Sequence, residues 1–188
     1  MLGWLVRRKI AAFEKDFDYD MQYARDMYSA SPRAFWKFSK LLALSEHRQD
    51  VPCEAWYAAK IAATLAEDCG PCTQLVVTMA ERAGVNPETL RAIVTDNEAA
   101  MPKDAALGWR FARSVVARDI AESDLLREKI VDLWGHRALV SLALTIASSR
   151  VYPAVKYGLG HGRACLRVRV AGADTPVRTE VQGAESGR

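Results

Sequence analysis

Ala59-Lys60-Ile61-Ala62-Ala63-Thr64-Leu65-Ala66-Glu67 runs without a break into Asp68-Cys69-Gly70-Pro71-Cys72-Thr73-Gln74. The first stretch belongs to an alanine-rich segment, Glu54 to Ala66, in which Ala58, Ile61, Ala62 and Leu65 fall at the spacing of one helical face. So much alanine lets neighbouring helices approach closely. The second stretch is a CxxC turn. Pro71 suits the first position of a helix, because it lacks the N–H that would go unpaired there and its φ is already helical. Gly70 then reads as the N-cap, with Cys72 in the first turn. A sulfur there faces free N–H groups and the positive end of the helix dipole, and both favour thiolate over thiol. The next helix is expected to run to Ala83 and stop at Gly84. Two cysteines at this spacing can close a disulfide ring or share a metal; the surroundings favour redox chemistry.

The chain outward from this turn has the same punctuation. Residues 3–13 and 16–27 read as amphipathic helices, with Tyr19, Tyr23 and Met27 repeating at one-turn intervals. Ser31-Pro32 and Asn86-Pro87 are cap-plus-proline starts. A stripe of Phe35, Phe38, Leu41 and Leu42 follows the first of these, and residues 45–53 read as a connector. Residues 95–104 form a polar break. Leu107, Phe111 and Val115 line another helix. Ser123-Asp124 is expected to cap a helix over Leu125 to Trp134 that Gly135 ends. His136 to Tyr152 is the most apolar helix, interrupted by Pro153. Val168 and Val170 alternate with Arg167 and Arg169, but one such run makes no sheet. The fold class is therefore all-α, a compact multi-helix bundle with CxxC at the N-terminus of a core helix. Residues 1–169 are expected to form one domain and residues 170–188, poor in apolar side chains, a disordered tail. At least six helices and no sheet beyond two short strands are expected.

Composition narrows the function. The chain has 188 residues, 50% hydrophobic, enough for one substantial core. A net charge of +3 leaves no footprint for nucleic acid. The apolar stretch Ala138 to Ala147 is too short to span a bilayer and reads as a buried core helix. No targeting signal is recognised at the N-terminus, so no membrane association is expected. Of the four cysteines, Cys53 and Cys165 are isolated, which supplies neither a secreted disulfide framework nor a second pair for a metal. A reducing cytoplasm with one reactive pair fits this usage, and no cofactor or metal is expected.

Cys-Gly-Pro-Cys is also the active-site tetrapeptide of thioredoxins, but there a buried strand should feed the motif, and here the feeding segment is helical. A helix, a turn holding CxxC and a second helix, from about Glu54 to Gly84, resemble the alkylhydroperoxidase D-like and carboxymuconolactone decarboxylase superfamily. The resemblance continues more weakly through Leu125 to Trp134 and the apolar helix after it. It implies a thiol-dependent peroxidase or disulfide oxidoreductase, with Cys72 attacking a small-molecule peroxide and Cys69 resolving the sulfenic acid into a Cys69–Cys72 disulfide. It also implies a thiol or dithiol reductant as partner and a homo-oligomer, for which Trp4, Phe13, Phe35, Trp36 and Phe38 are candidate contact surface.

The chain departs from that family's pattern at two relay positions. The His four residues after the second Cys is Val76 here, and the relay Glu about three turns before the first Cys is Tyr57, with Glu54 one turn earlier. Glu67 is the nearest carboxylate by sequence and the substitute candidate for the base. The alternatives are a non-catalytic or redox-sensing helical oligomer on the same scaffold, and a carboxymuconolactone decarboxylase-like enzyme; that second branch does not use a CxxC pair.

Overall fold

The computed structural model describes residues 2–163 and 167–177. In chain order the elements are α1 (Leu2–Phe17), α2 (Gln22–Ala30), α3 (Pro32–Phe38), α4 (Leu41–Ser45), α5 (Cys53–Leu65), α6 (Gly70–Arg82) and α7 (Pro87–Val94). After them come a 3₁₀ turn (Glu98–Ala100), α8 (Lys103–Ala117), α9 (Ile120–Gly158) and the strands β1 (Arg167–Val170) and β2 (Ala173–Pro176). The protein is mostly helical, as the apolar periodicity requires.

Two of the expected starts carry their caps. Ser31 Oγ accepts from Ala34 N at 3.2 Å, and Asn86 Oδ1 accepts from Glu88 N at 2.8 Å. Gly84, one residue beyond the last turn of α6, takes φ +85°, a left-handed conformation that costs a glycine little. Other boundaries differ. α1 continues through Phe17 and ends at Asp18, whose φ is +48°. α9 begins five residues before Leu125, because Asp119 Oδ1 caps it by accepting from Glu122 N at 3.1 Å. Ser123, expected as a cap, is instead buried inside the helix and donates to Ser114 Oγ at 3.0 Å. Gly135 does break this helix, with φ +81° and ψ 173°, but Pro153 lies inside its second part, residues 136–158, without ending it.

α5 is the centre of the core. Ala55, Ala58, Ala59, Ile61 and Ala63 have no exposed surface, and the helix packs chiefly against α8 and then α9. Alanine faces allow this approach, and Gly108 of α8 completes it: a Cβ there would overlap the Ala55 carbonyl. Ile130, Leu142 and Ile146 of α9 close the same core. By length and composition α9 could cross a membrane, yet 44% of its most apolar window is buried inside the protein.

A second apolar cluster holds the N-terminal helices. Val6, Ile10, Tyr19 and Tyr23 are buried among Phe13, Phe17, Phe35 and Phe38, and meet Leu75 of α6 and Val155 of α9. Of the aromatic residues proposed as contact surface, Phe13, Phe35 and Phe38 therefore pack within the chain. Trp4 and Trp36 stay largely exposed, at 62% and 44%.

The expectation of a structureless tail from Val170 fails for residues 170–177. β1 and β2 form an antiparallel hairpin with Val168 opposite Thr175 and Val170 opposite Ala173. Val168 and Val170 are completely buried against the helical core, which turns a single alternating run into a paired strand. Residues 178–188 lie outside the described residues.

Lys60 is buried in α5, where its Nζ donates to the Ser45 carbonyl at 2.7 Å and lies 4.4 Å from the Trp56 ring. Burial pushes its ammonium down to about 8 from an ordinary 10.5. Between those values the unfolded chain binds a proton that the folded chain has released, so stability rises with pH across that window. Burial raises Tyr19 and Tyr23 instead, so above their ordinary value of 10 the unfolded chain sheds protons the folded one keeps, and stability falls. Urea titrations from pH 7 to 11 should show a maximum near pH 10, with a rise below it on the order of 2–3 kcal/mol that Lys60→Met flattens. Gly108→Ala should lose about 1–3 kcal/mol in the same assay by forcing α8 off α5; an unchanged urea midpoint would contradict that packing.

Candidate active site

Cys69 is the N-cap of α6, with Gly70, Pro71 and Cys72 in its first turn; the expected cap, Gly70, lies one residue inside. The turn is tight because α5 and α6 are joined only by residues 66–69. Asp68 takes φ +48° to make the reversal. Cys69 and Cys72 are disulfide-bonded, with Cα atoms 5.3 Å apart. Both are buried, Cys69 completely and Cys72 with 5% exposure. Cys72 thus occupies the helix-terminal position that stabilises a thiolate once the pair is reduced.

The C-terminal end of α9 clasps this turn. Tyr157 Oη donates to the Asp68 carbonyl at 2.8 Å. Arg150 Nε donates to Glu67 Oε1 at 2.5 Å. Just beyond the helix, the Arg163 carbonyl accepts from Gly70 N at 3.0 Å, satisfying an N–H of the first turn of α6 that has no partner within the helix. Within α6, Thr73 donates both its N–H and its hydroxyl to the Cys69 carbonyl, at 2.9 and 3.0 Å.

The sulfur itself has a polar neighbour from the other end of the chain. Tyr19 Oη lies 3.9 Å from Cys72 Sγ, and Lys156 Nζ donates to Tyr19 Oη at 3.2 Å. Lys156 is buried, with 3% exposure, and its ammonium lies 4.6 Å from the Tyr19 ring centre and 5.4 Å from that of Tyr23. Burial lowers the Lys156 pKa; Asp20 opposes that shift and Arg163 reinforces it. Burial is also the main reason Tyr19 is held well above the ordinary tyrosine value.

The residues singled out from the sequence are distributed as follows. Cys69 and Cys72 come together, and Glu67 stands at the entrance of the turn with its carboxylate on Arg150. Tyr57 packs edge-on against Trp56 at 4.9 Å, in the main core cluster rather than in the cluster around Tyr19. Glu54 is raised in pKa by burial and by Asp104, so it faces the start of α8. Apart from that set, His161 Nε2 pairs with Asp26 at 2.9 Å. Cys53 is half-buried and free; Cys165 lies outside the described residues. Among the described residues, no three His, Cys, Asp or Glu side chains converge as a metal site. Tyr19, Lys156, Arg150 and Tyr157 were not singled out from the sequence for this site. One available signal was a lysine set in the apolar segment Val155-Lys156-Tyr157.

Beside the turn, Glu67, Arg150, Val151, Ala154 and Val155 line an open depression of about 460 Å³. A larger hollow of about 580 Å³ lies between α1 and α2, lined by Arg7, Ile10, Arg25 and Tyr28 among others, and includes no residue of the CxxC turn.

No protein-family model, curated protein or solved structure matches this chain.

Tyr157→Phe should loosen the clasp without touching the sulfurs. A hydrogen bond of this kind contributes about 0.5–1.5 kcal/mol, and this one, at a Tyr157 that is 46% exposed, falls at the low end. Hydrogen exchange should show faster opening at Cys69 and Gly70 than in the parent protein, and unchanged protection there would mean that Tyr157 does not hold the turn.

Proposed function

We propose that the protein is a thiol-dependent peroxidase or disulfide oxidoreductase of the alkylhydroperoxidase D-like type, working through a Cys69–Cys72 dithiol–disulfide cycle. The observation that carries this is the bonded pair at the start of a buried core helix, with a hydroxyl and an ammonium leading to one sulfur. A structural staple gains nothing from a hydroxyl against one of its sulfurs with a buried lysine behind that hydroxyl, whereas a nucleophile does.

In the cycle, the Cys72 thiolate attacks a peroxide oxygen: an S–O bond forms, the O–O bond breaks, and the departing alkoxide takes a proton to leave as an alcohol. The Cys69 thiolate then attacks the Cys72 sulfur. The S–S bond forms as the S–O bond breaks, and hydroxide leaves as water after protonation. An external thiol or dithiol restores the pair by exchange and is itself oxidised to a disulfide. Cys72 is assigned the attack because, beside its place in the first turn of α6, it has the Tyr19 contact and the slight exposure, both of which Cys69 lacks. Glu67, the sequence's candidate for the base, is held by Arg150 at the mouth of the depression, where it is assigned to position the reductant. The proposal also includes a cytoplasmic setting, where such a pair can be recycled, and a homo-oligomer covering Trp4 and Trp36.

The burial of both sulfurs supports a second function, a redox sensor that changes state without turnover. Peroxide consumption with a dithiol in excess separates the two. We expect sustained turnover by the parent protein, none by Cys72→Ser, and a single round by Cys69→Ser that stops at the sulfenic acid. Turnover by Cys72→Ser at the parent rate would contradict the assignment, and one stoichiometric oxidation of the parent without turnover would favour the sensor.

A further inference from the structure

The dithiol site lacks the histidine and glutamate that would ordinarily manage its proton, since Val76 and Tyr57 occupy those positions. Within the alkylhydroperoxidase-like reading proposed above, something else must do so. Two residues from opposite ends of the chain meet at the sulfur: Tyr19, in the link between α1 and α2, and Lys156, near the end of α9.

We infer that Tyr19 and Lys156 form the proton relay of Cys72, with Tyr19 as a catalytic residue on the sulfur and Lys156 as the positioning residue and proton store behind it. Lys156 Nζ donates to Tyr19 Oη, as it can while a neutral amine in the disulfide state, and the Tyr19 hydroxyl proton is shared between Cys72 Sγ and Tyr23, with which Tyr19 also hydrogen-bonds. In the disulfide state this proton meets a weakly accepting sulfur, in keeping with the 3.9 Å separation. Reduction by an external dithiol breaks the S–S bond, and the two protons leaving the reductant thiols go to the two sulfurs. The Cys72 proton can then pass to Tyr19 as the Tyr19 proton passes to a neutral Lys156, leaving thiolate and ammonium at the two ends. Peroxide attack consumes the thiolate, and the proton stored on Lys156 returns along the same path to neutralise the departing alkoxide. Atoms and charge balance over the cycle with no further reactant.

The surroundings suit this role. Burial lowers the Lys156 pKa, which places a neutral amine within reach, and a thiolate at Cys72 would restore its charge. The titratable or charged groups facing Lys156 are Asp20 beside Tyr19, Tyr23 on α2 and Arg163 beyond α9. Tyr152, one turn earlier on α9, acts on Tyr19 and Tyr23. Asp20 favours the ammonium and Arg163 opposes it. Glu67 on the far side of the turn is held by Arg150.

The test reads the thiol, not turnover. In a Cys53→Ser, Cys69→Ser, Cys165→Ser background, the rate of Cys72 alkylation by iodoacetamide is followed from pH 5 to 10, with circular dichroism to check folding. A hydrogen bond to an ionised group contributes about 1.5–3 kcal/mol, so Tyr19→Phe should move the midpoint up by about one to two pH units. Lys156→Met should do the same. The double variant should shift no further than the larger single shift, because the two act in series. Lys156→Gln, which keeps a donor without the charge, replaces Lys156→Met should that variant not fold. A folded Tyr19→Phe with the parent's midpoint overturns the relay, as does a folded Lys156 variant with the parent's midpoint. The outcome is independent of the peroxidase assignment. A shifted midpoint in a protein that never consumes peroxide would keep the relay and remove the enzyme; unshifted midpoints in a working peroxidase would do the reverse.

Discussion

The end of α9 grips the CxxC turn, and the site depends on that grip. A reversal of four residues between two core helices requires a left-handed aspartate, a peptide N–H with no partner in the helix and a carbonyl turned outward. Each is met from the same region: Tyr157 takes the Asp68 carbonyl, the Arg163 carbonyl takes the Gly70 N–H, and Arg150 takes the Glu67 carboxylate. The Gly70 N–H is in a buried residue and costly when left without a partner, and the exposed and part-buried bonds beside it add to the hold, so the clasp stabilises the turn and also fixes where α9 can sit. Lys156 then falls one residue before Tyr157 and is directed at Tyr19. The geometry that holds the turn is the geometry that delivers the cation.

That cation makes the two cysteines unequal. Cys69 caps the helix, gives its carbonyl to Thr73 and is sealed from solvent. Cys72 sits one turn in, on the dipole's positive end, with a hydroxyl 3.9 Å away and an ammonium behind it. All three effects favour negative charge on Cys72 and so favour the reduced state of the pair. The N-terminal helices therefore do more than add apolar area: by carrying Tyr19 they complete a site whose cysteines belong to the central core.

Much of this was legible before any coordinates. Local signals were read well where the chemistry is local: Ser31, Asn86, Gly84 and Gly135 start or stop helices for reasons contained in a few residues. Asp119 was missed as a cap because Ser123-Asp124 offers the same signature, and Arg118 ends α8 in a left-handed conformation that no residue preference announces. The hairpin was missed because Val168 and Val170 make only one alternating run, and its partner Ala173–Pro176 has no strand signature of its own. The cysteine pair was legible from its spacing, and its helical setting from the alanines before it. The relay was not, since Tyr19 lies 53 residues from Cys72 and 137 from Lys156, and only tertiary packing brings them together. A lysine in an apolar segment was the one visible sign.

The central claim is that Cys69 and Cys72 cycle and do not merely staple. The most direct measurement is the equilibrium reduction potential of the pair, by titration against defined glutathione or dithiothreitol couples with thiols quantified after acid quench. Stabilisation of the Cys72 thiolate predicts a reversible two-electron transition in the catalytic dithiol range, roughly −180 to −270 mV. A potential below about −300 mV, the range of structural disulfides, would contradict it.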